Sequence, residues 1–193
     1  MFEDTIASLG GRTPSLLLHA CCAPCLSSVL ERLGEHFSVT VLYYNPNIFP
    51  PDEYEKRLSE IQKLLGLLET GNTVKLLCGE YNPGNYRNLT GGMEKEPEGG
   101  TRCRLCFELR LGETARLARE GGFDYFTTTL TVSPHKNAAL LNAIGGAMSE
   151  KYGVLYLFSD FKKRDGYKRS IELSNTYGLY RQNYCGCEFS KRA

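Results

Sequence analysis

Short apolar, β-branched or aromatic runs alternate with longer helical patterns along this chain, and that alternation is the signature of a parallel sheet wrapped by helices. Residues 15–20, 37–44, 73–78, 123–130 and 154–158 read as strands, and 25–33, 52–68, 102–120, 136–152 and 167–180 as helices. Pro50-Pro51 followed by Asp52 and Glu53 starts the second helix, and Gly121-Gly122 closes the third. Gly145-Gly146 sits inside a helical pattern at a cost of about 1 kcal/mol per glycine relative to alanine, which predicts close packing of that helix on the sheet. Residues 79–100, rich in Gly, Pro, Asn and Glu, read as a lid or mobile loop with one short helix after Gly84.

With 193 residues and 41% hydrophobic content the chain can bury a sizeable core and is read as a single α/β domain, 1–193. Its first ten residues lack the basic and apolar regions of a signal peptide, and no run approaches the roughly 20 apolar residues of a membrane span. The expectation is a cytoplasmic protein, with no membrane partner, whose thiols stay reduced. Net charge is +1, but it is unevenly placed. Residues 161–193 hold eight Lys or Arg against three acids, a net +5, so the preceding body carries −4. Such a basic extension is either a solvated surface or a face for a phosphate-bearing partner.

Seven of the eight cysteines fall into three tight groups: Cys21, Cys22 and Cys25; Cys103 and Cys106; Cys185 and Cys187. A disulfide-stapled fold spreads its cysteines, so this clustering points to a metal or redox site. His19-Ala20-Cys21-Cys22-Ala23-Pro24-Cys25 lies where the first strand gives way to a helix, the place where open α/β sheets bind ligands. The helix dipole there predicts thiols that lose their protons readily. Cys103 and Cys106 project from one face at a helix start. Four cysteines suffice for tetrahedral zinc or an iron-sulfur cluster, and the divergent side chains of the adjacent Cys21 and Cys22 suit the corners of a cluster better than one ion. Cys25 either joins that site or caps it. Cys185-Gly186-Cys187 suits electron relay or a second metal, against two free thiols in a docked tail. Cys78, ending a strand, reads as an inert buried thiol.

HACCAPC, YYNPNIFPPDEYEKR, GGTRCRLCFELRL, FTTTLTVSPHKN, SDFKKRDGYKRS and LYRQNYCGC occur here in the order seen in the QueH-type epoxyqueuosine reductases, and this resemblance spans nearly the whole chain. It implies a Rossmann-like (HUP-like) three-layer sandwich with a mostly parallel five-stranded sheet and a cysteine-bearing C-terminal extension. It also implies reduction of epoxyqueuosine to queuosine at the wobble position of tRNA, without cobalamin, with electrons from an external donor. By motif, Cys21, Cys22, Cys103 and Cys106 would hold a 4Fe-4S cluster, and Cys185 and Cys187 would be the redox-active pair. Room remains for a further iron ion, with Cys25, Cys185, Cys187 and Asp160 as candidate ligands. HACCAPC stands where related ATP pyrophosphatases carry a phosphate loop, which argues against ATP chemistry.

Removing an epoxide oxygen requires two electrons and two protons, so a single-electron cluster needs a second reducible centre beside it. His19, His135 and Lys136 are proton-donor candidates, each with the duller alternative of a core or helix-opening residue. Tyr43, Asn45 and Asn47 would hold ring hydroxyls or stack on a base, unless Asn-Pro-Asn simply makes a turn. Lys162, Lys163, Arg164, Lys168 and Arg169 are the expected phosphate contacts, with Tyr167 available for stacking. Two rival readings use the same residues: a non-enzymatic zinc- or cluster-binding module that docks RNA, and a thiol-disulfide oxidoreductase working through Cys103 and Cys106.

Overall fold

The structure, a computed structural model, describes residues 2–68 and 74–191; the expected start of the third strand at Thr73 and the tail cation Arg192 lie outside them. The elements run α1 (Phe2–Ser8), β1 (Ser15–His19), α2 (Ala23–Leu33), β2 (Ser38–Tyr43), α3 (Pro51–Leu67), β3 (Lys75–Cys78), α4 (Pro83–Thr90), α5 (Thr101–Glu120), β4 (Tyr125–Thr128), α6 (Ala138–Tyr152), β5 (Leu155–Tyr156) and α7 (Gly166–Thr176). The five strands form one sheet in the order β3-β2-β1-β4-β5. Every pairing is parallel, with Leu17 opposite Thr40 on one side and Phe126 on the other.

Side chains alternate across β1, and each face has its own core. Leu16 and Leu18, with Val39, Val41 and Tyr43 of β2, pack against α2 and α3 and against Phe161, Tyr167 and Tyr177 around α7. Leu17, Leu42, Phe126 and Tyr156 face Ala115 and Ala118 of α5 and Met148 of α6. The result is the expected three-layer sandwich, with all strands parallel. The chain builds outward from β1 to β3, then returns beside β1 to lay down β4 and β5. The strand order therefore reverses between β1 and β4, and the carboxyl ends of those two strands open a crevice where open sheets bind ligands.

Local chemistry explains where the elements differ from the sequence pattern. The fourth strand stops at Thr128 because its hydroxyl accepts from the Leu130 amide and turns residues Thr129–Val132 into a 3-10 helix. The last helix ends at Thr176, not 180, where Gly178 adopts a left-handed φ of 58° and Leu179 donates back to Ser174. Helix α1 is an addition: Phe2 stacks edge-on against Phe161. Cys78 is exposed, contrary to expectation, because β3 is an edge strand whose end is left uncovered. The 79–100 segment carries α4, with Asn82 capping its first turn, and Arg102 pins the following turn through Met93 and Glu94 carbonyls. No helix among the described residues is long and apolar enough to cross a membrane.

The glycine pair in α6 separates into two cases. A Cβ on Gly145 would lie 2.3 Å from the Tyr156 ring, whereas one on Gly146 would meet Phe158 at 3.4 Å, an ordinary contact. Gly145→Ala should destabilise the fold by about 1–3 kcal/mol through overpacking, while Gly146→Ala should be neutral or stabilising by up to about 1 kcal/mol. Chemical denaturation of the two variants checks this, and equal effects would contradict it.

Candidate active site at the sheet crossover

Five segments meet at the crevice. The turn after β1 brings Cys21 and Cys22, α2 brings Cys25, and the loop after β4 brings His135 and Lys136. The first turns of α5 bring Cys103 and Cys106, and the tail brings Cys185 and Cys187. A cavity of about 360 Å³ is lined by Cys21, Cys25, Lys136, Tyr167, Tyr184 and Cys185. A smaller space of about 30 Å³ is lined by Cys103, Cys106, Cys185, Cys187 and Tyr86. Cys185, His135 and Lys136 line both. All eight cysteines are free thiols. Cys21 donates to Cys22 across 3.9 Å, and the Gly99 amide donates to Cys103 Sγ at 3.2 Å. Cys25 and Cys103 both pack on the apolar cluster containing Cys21, Cys22, Phe107 and Leu130. Among the described residues, no three His, Cys, Asp or Glu side chains converge closely enough to hold a single metal ion.

The expected lowering of the thiol pKa values by the helix dipole is overturned. Hydrogen bonding to Cys22 and then burial raise Cys21 well above its ordinary value. At Cys22 the bond from Cys21 pulls down, but Cys25 and burial pull further up, to about 11. Burial takes Cys106 to about 12 and also raises Cys103, against the pull of the Gly99 amide. Removal of thiolate from water outweighs the partial charge of one helix end. Metal-free Cys21, Cys22, Cys103 and Cys106 are therefore protonated at neutral pH.

Arg110 and Lys136 supply the opposite charge. Arg110 of α5 is fully buried, with Nε directed at the Cys106 carbonyl at 3.4 Å and Nη1 at Asn45 Oδ1 at 3.3 Å. Its Nη2 has no hydrogen-bond partner, and no carboxylate pairs with it among the described residues. Burial opposes its charge, but Cys106, Cys185 and Cys21 raise its pKa. Lys136 behaves alike: burial lowers, while Cys185, Cys21 and Cys25 raise further. A buried cation needs an anionic neighbour. Four thiolates around an inorganic centre would provide one, so the donor set and the orphaned guanidinium nitrogen fit a thiolate-bound cluster.

Several sequence candidates fall elsewhere. Tyr43 and Asn45 are fully buried; the Tyr43 hydroxyl donates to the Tyr54 carbonyl, and Asn45 bridges the Ala20 carbonyl and Arg110. Neither lines the cavity, so Asn45 positions Arg110 and is not open to a substrate ring. His19 is buried too, with its ring nitrogens bonded to Thr128 Oγ1 and the Tyr44 carbonyl, the core reading. Asp160 lies outside both cavities and pairs with Lys162 at 2.9 Å. Lys163 also reaches Asp160, Arg164 pairs with Glu3, and Arg169 pairs with Glu31 and Glu172. Lys168 is exposed beside Tyr167, which lines the larger cavity. Sequence reasoning missed Arg110, Tyr86, whose hydroxyl lies 3.0 Å from Cys187 Sγ, and Arg57, which grips the tail. Arg110 stood inside a motif that already carried cysteines and Arg57 inside one that carried none, while Tyr86 lay outside every motif.

Fold and site together define a Rossmann-like α/β protein with a thiol-lined crossover crevice. The chain belongs to the epoxyqueuosine reductase QueH family, whose model matches residues 16–193. It is 47% identical over 181 residues to epoxyqueuosine reductase QueH of Streptococcus pyogenes serotype M1, covering 93% of this chain and 71% of that protein. It is 37% identical to the QueH of Thermotoga maritima, covering 91% and 90%. Among solved structures, a predicted subunit of tRNA methyltransferase from Methanocaldococcus jannaschii shares the fold at a TM-score of 0.50 and 14% identity, over 83% of this chain and 76% of that one.

The raised thiol values fix a sign. Native Cys22 and Cys106 keep their protons to about 11 and about 12, against an ordinary 9.0. Their contribution to stability is complete below the unfolded value and is lost as pH rises through the folded one. The thermal midpoint of the metal-free protein should therefore fall as pH is raised from 9.0 towards 11, and Cys106→Ser should flatten that fall. A slope unchanged by the substitution would contradict the burial argument.

Proposed function

We propose that this epoxyqueuosine reductase works on tRNA through two sulfur sites that meet at Cys185. Cys21, Cys22, Cys103 and Cys106 would hold a 4Fe-4S cluster, which when bound supplies electrons one at a time. The reading is supported above all by one observation: thiols from the turn after β1 and the start of α2, from the start of α5 and from the tail surround adjoining cavities that share Lys136 on their walls, with the unpartnered Nη2 of buried Arg110 one turn from Cys106. For a further iron ion, Cys25 and Cys185 are placed at the larger cavity, while Asp160 is engaged by Lys162.

Converting an epoxide into an alkene and water consumes two electrons and two protons. Oxidation of the Cys185 and Cys187 thiols to a disulfide releases that number of each, and an external donor must then return the pair to dithiol. Lys136 lines the cavity, and its cationic form is favoured by the neighbouring sulfurs when they are ionised. Its ammonium can donate to the epoxide oxygen as the C–O bond opens and place a proton there. Tyr167 and Tyr184 offer aromatic faces on which an extruded base can stack. Arg181, fixed by the Ser170 carbonyl and Ser174 hydroxyl, gives the rim a positive charge beside α7.

Anaerobic reconstitution with iron and sulfide, followed by mass spectrometry of nucleosides from tRNA carrying epoxyqueuosine, tests the activity. Queuosine should accumulate with the wild type. Cys103→Ser should lose both the brown colour and the product, while Cys185→Ser should keep the colour and lose turnover. A colourless protein holding about one zinc would favour the RNA-docking module instead. For the RNA itself, Lys163→Glu with Lys168→Glu should weaken tRNA binding and lower its salt slope by about 2, with the cluster spectrum unchanged. An unaltered salt slope would remove this face from the interface.

A further inference from the structure

Every carbonyl of the turn Tyr184-Cys185-Gly186 accepts a hydrogen bond. Arg57 of α3 is buried to 1% exposure, and its Nη1 donates to the Cys185 carbonyl at 3.1 Å and its Nη2 to the Tyr184 carbonyl at 3.2 Å. The Phe49 amide donates to the Gly186 carbonyl at 2.8 Å, and the Tyr184 hydroxyl returns to the Phe49 carbonyl at 2.8 Å. Arg57 is itself fixed through Nε, which pairs with Glu53 at 2.7 Å, and Glu53 also accepts from Tyr180 at 3.1 Å. Gly186 has φ 109°, and a Cβ there would meet Ile48 at 2.9 Å and Arg57 Nη1 at 3.1 Å. The backbone between the two cysteines is thus held from outside, while both sulfurs are free thiols turned to the cavities.

We infer that Arg57 is a positioning residue that clamps the Cys185-Gly186-Cys187 turn in its dithiol conformation and thereby sets the redox poise of the pair. Arg57 touches no reacting atom; it acts through two carbonyls. Closing a disulfide across one glycine demands a different backbone path from the open turn, so bonds that hold the open turn oppose closure. A planar guanidinium serves this better than an ammonium, because two parallel N–H groups reach two successive carbonyls while a third engages Glu53. The clamp holds the pair in its reduced form and raises its potential, which makes the dithiol a milder reductant and the disulfide easy for a donor to reduce again. This rests on the proposed redox role of the pair.

The test uses the metal-free protein equilibrated with oxidised and reduced dithiothreitol. Two thiols lose two protons and two electrons to form the S–S bond, and oxidised dithiothreitol takes them up to become the dithiol. Alkylation and mass spectrometry read the fraction of Cys185 linked to Cys187. Arg57→Met should shift the equilibrium towards the disulfide by about tenfold, equivalent to about 30 mV for a two-electron couple, and Arg57→Lys should shift it less. Should Arg57→Met not fold, Gly186→Ala, which strains the clamped turn, should shift it in the same direction. Folding variants with wild-type equilibrium constants, despite lowered thermal midpoints, would overturn the clamp and leave the redox pair standing. A wild type that forms no such disulfide in any buffer would overturn the redox pair and the clamp with it.

Discussion

A guanidinium buried among sulfur atoms, with no carboxylate among the described residues to neutralise it, is the constraint around which this crevice is built. Removing a permanent cation from water costs several kcal/mol unless an anion comes with it. Arg110 leaves one nitrogen without a partner and directs its others to the Cys106 carbonyl and to Asn45. Asn45 in turn bonds the Ala20 carbonyl at 2.9 Å, so this one cation ties α5 and the end of β2 to the turn that carries Cys21. A structure selected only for stability would place an apolar side chain there. The charge makes sense when the thiols are ionised, and protein burial keeps them from ionising on their own. The proposed binding of an anionic centre would satisfy cations and thiols together.

The strand order places the crevice. Because β1 lies between β2 and β4, the loops leaving β1 and β4 diverge and leave a gap at their carboxyl ends. Cys21 and Lys136 follow those two strands and meet across the gap. Helix α5 covers the same face of the sheet as Leu17 and Phe126, which puts the first turn of α5, and with it Cys103 and Cys106, at the crevice and not at the far end of the domain. The tail closes the remaining side, held by α3 through Arg57 and by α4 through Tyr86.

The periodic parts of this arrangement were legible in the sequence. Apolar runs of five or six residues and amphipathic stretches set the strands and helices, and Gly145 announced the close approach to Tyr156 that its missing side chain permits. Cysteine spacing also located the site, because local clustering is a property of the chain itself. What was not legible depends on distance. Tyr43 and Asn45 looked available because they end a strand at the ligand-binding edge, yet each turns inward to partners that no spacing reveals. Cys78 looked buried because strands are usually covered, and only the sheet order shows that β3 is an edge. The thiol acidities were misjudged for a physical reason: a dipole acts over one turn, whereas burial acts on the whole side chain.

The basic extension requires the same care. Its net charge of +5 left both a solvated surface and a phosphate-binding face open, and Arg164, Arg169, Lys162 and Lys163 already face carboxylates. Exposed ion pairs of this kind contribute about 0–1 kcal/mol each, since water screens both partners. Such a pair holds its side chain near the surface without binding it tightly, so a phosphate with greater charge density can replace the carboxylate at little cost. The carboxylate then repels the arriving backbone, which favours a ligand whose phosphates meet the cations but clear Glu3, Glu31 and Glu172. Tyr167 lies on the cavity wall and Lys168 and Arg169 follow it in α7. Under the proposed function, a nucleic acid that satisfies that pattern would have its backbone beside the cavity wall that Tyr167 forms.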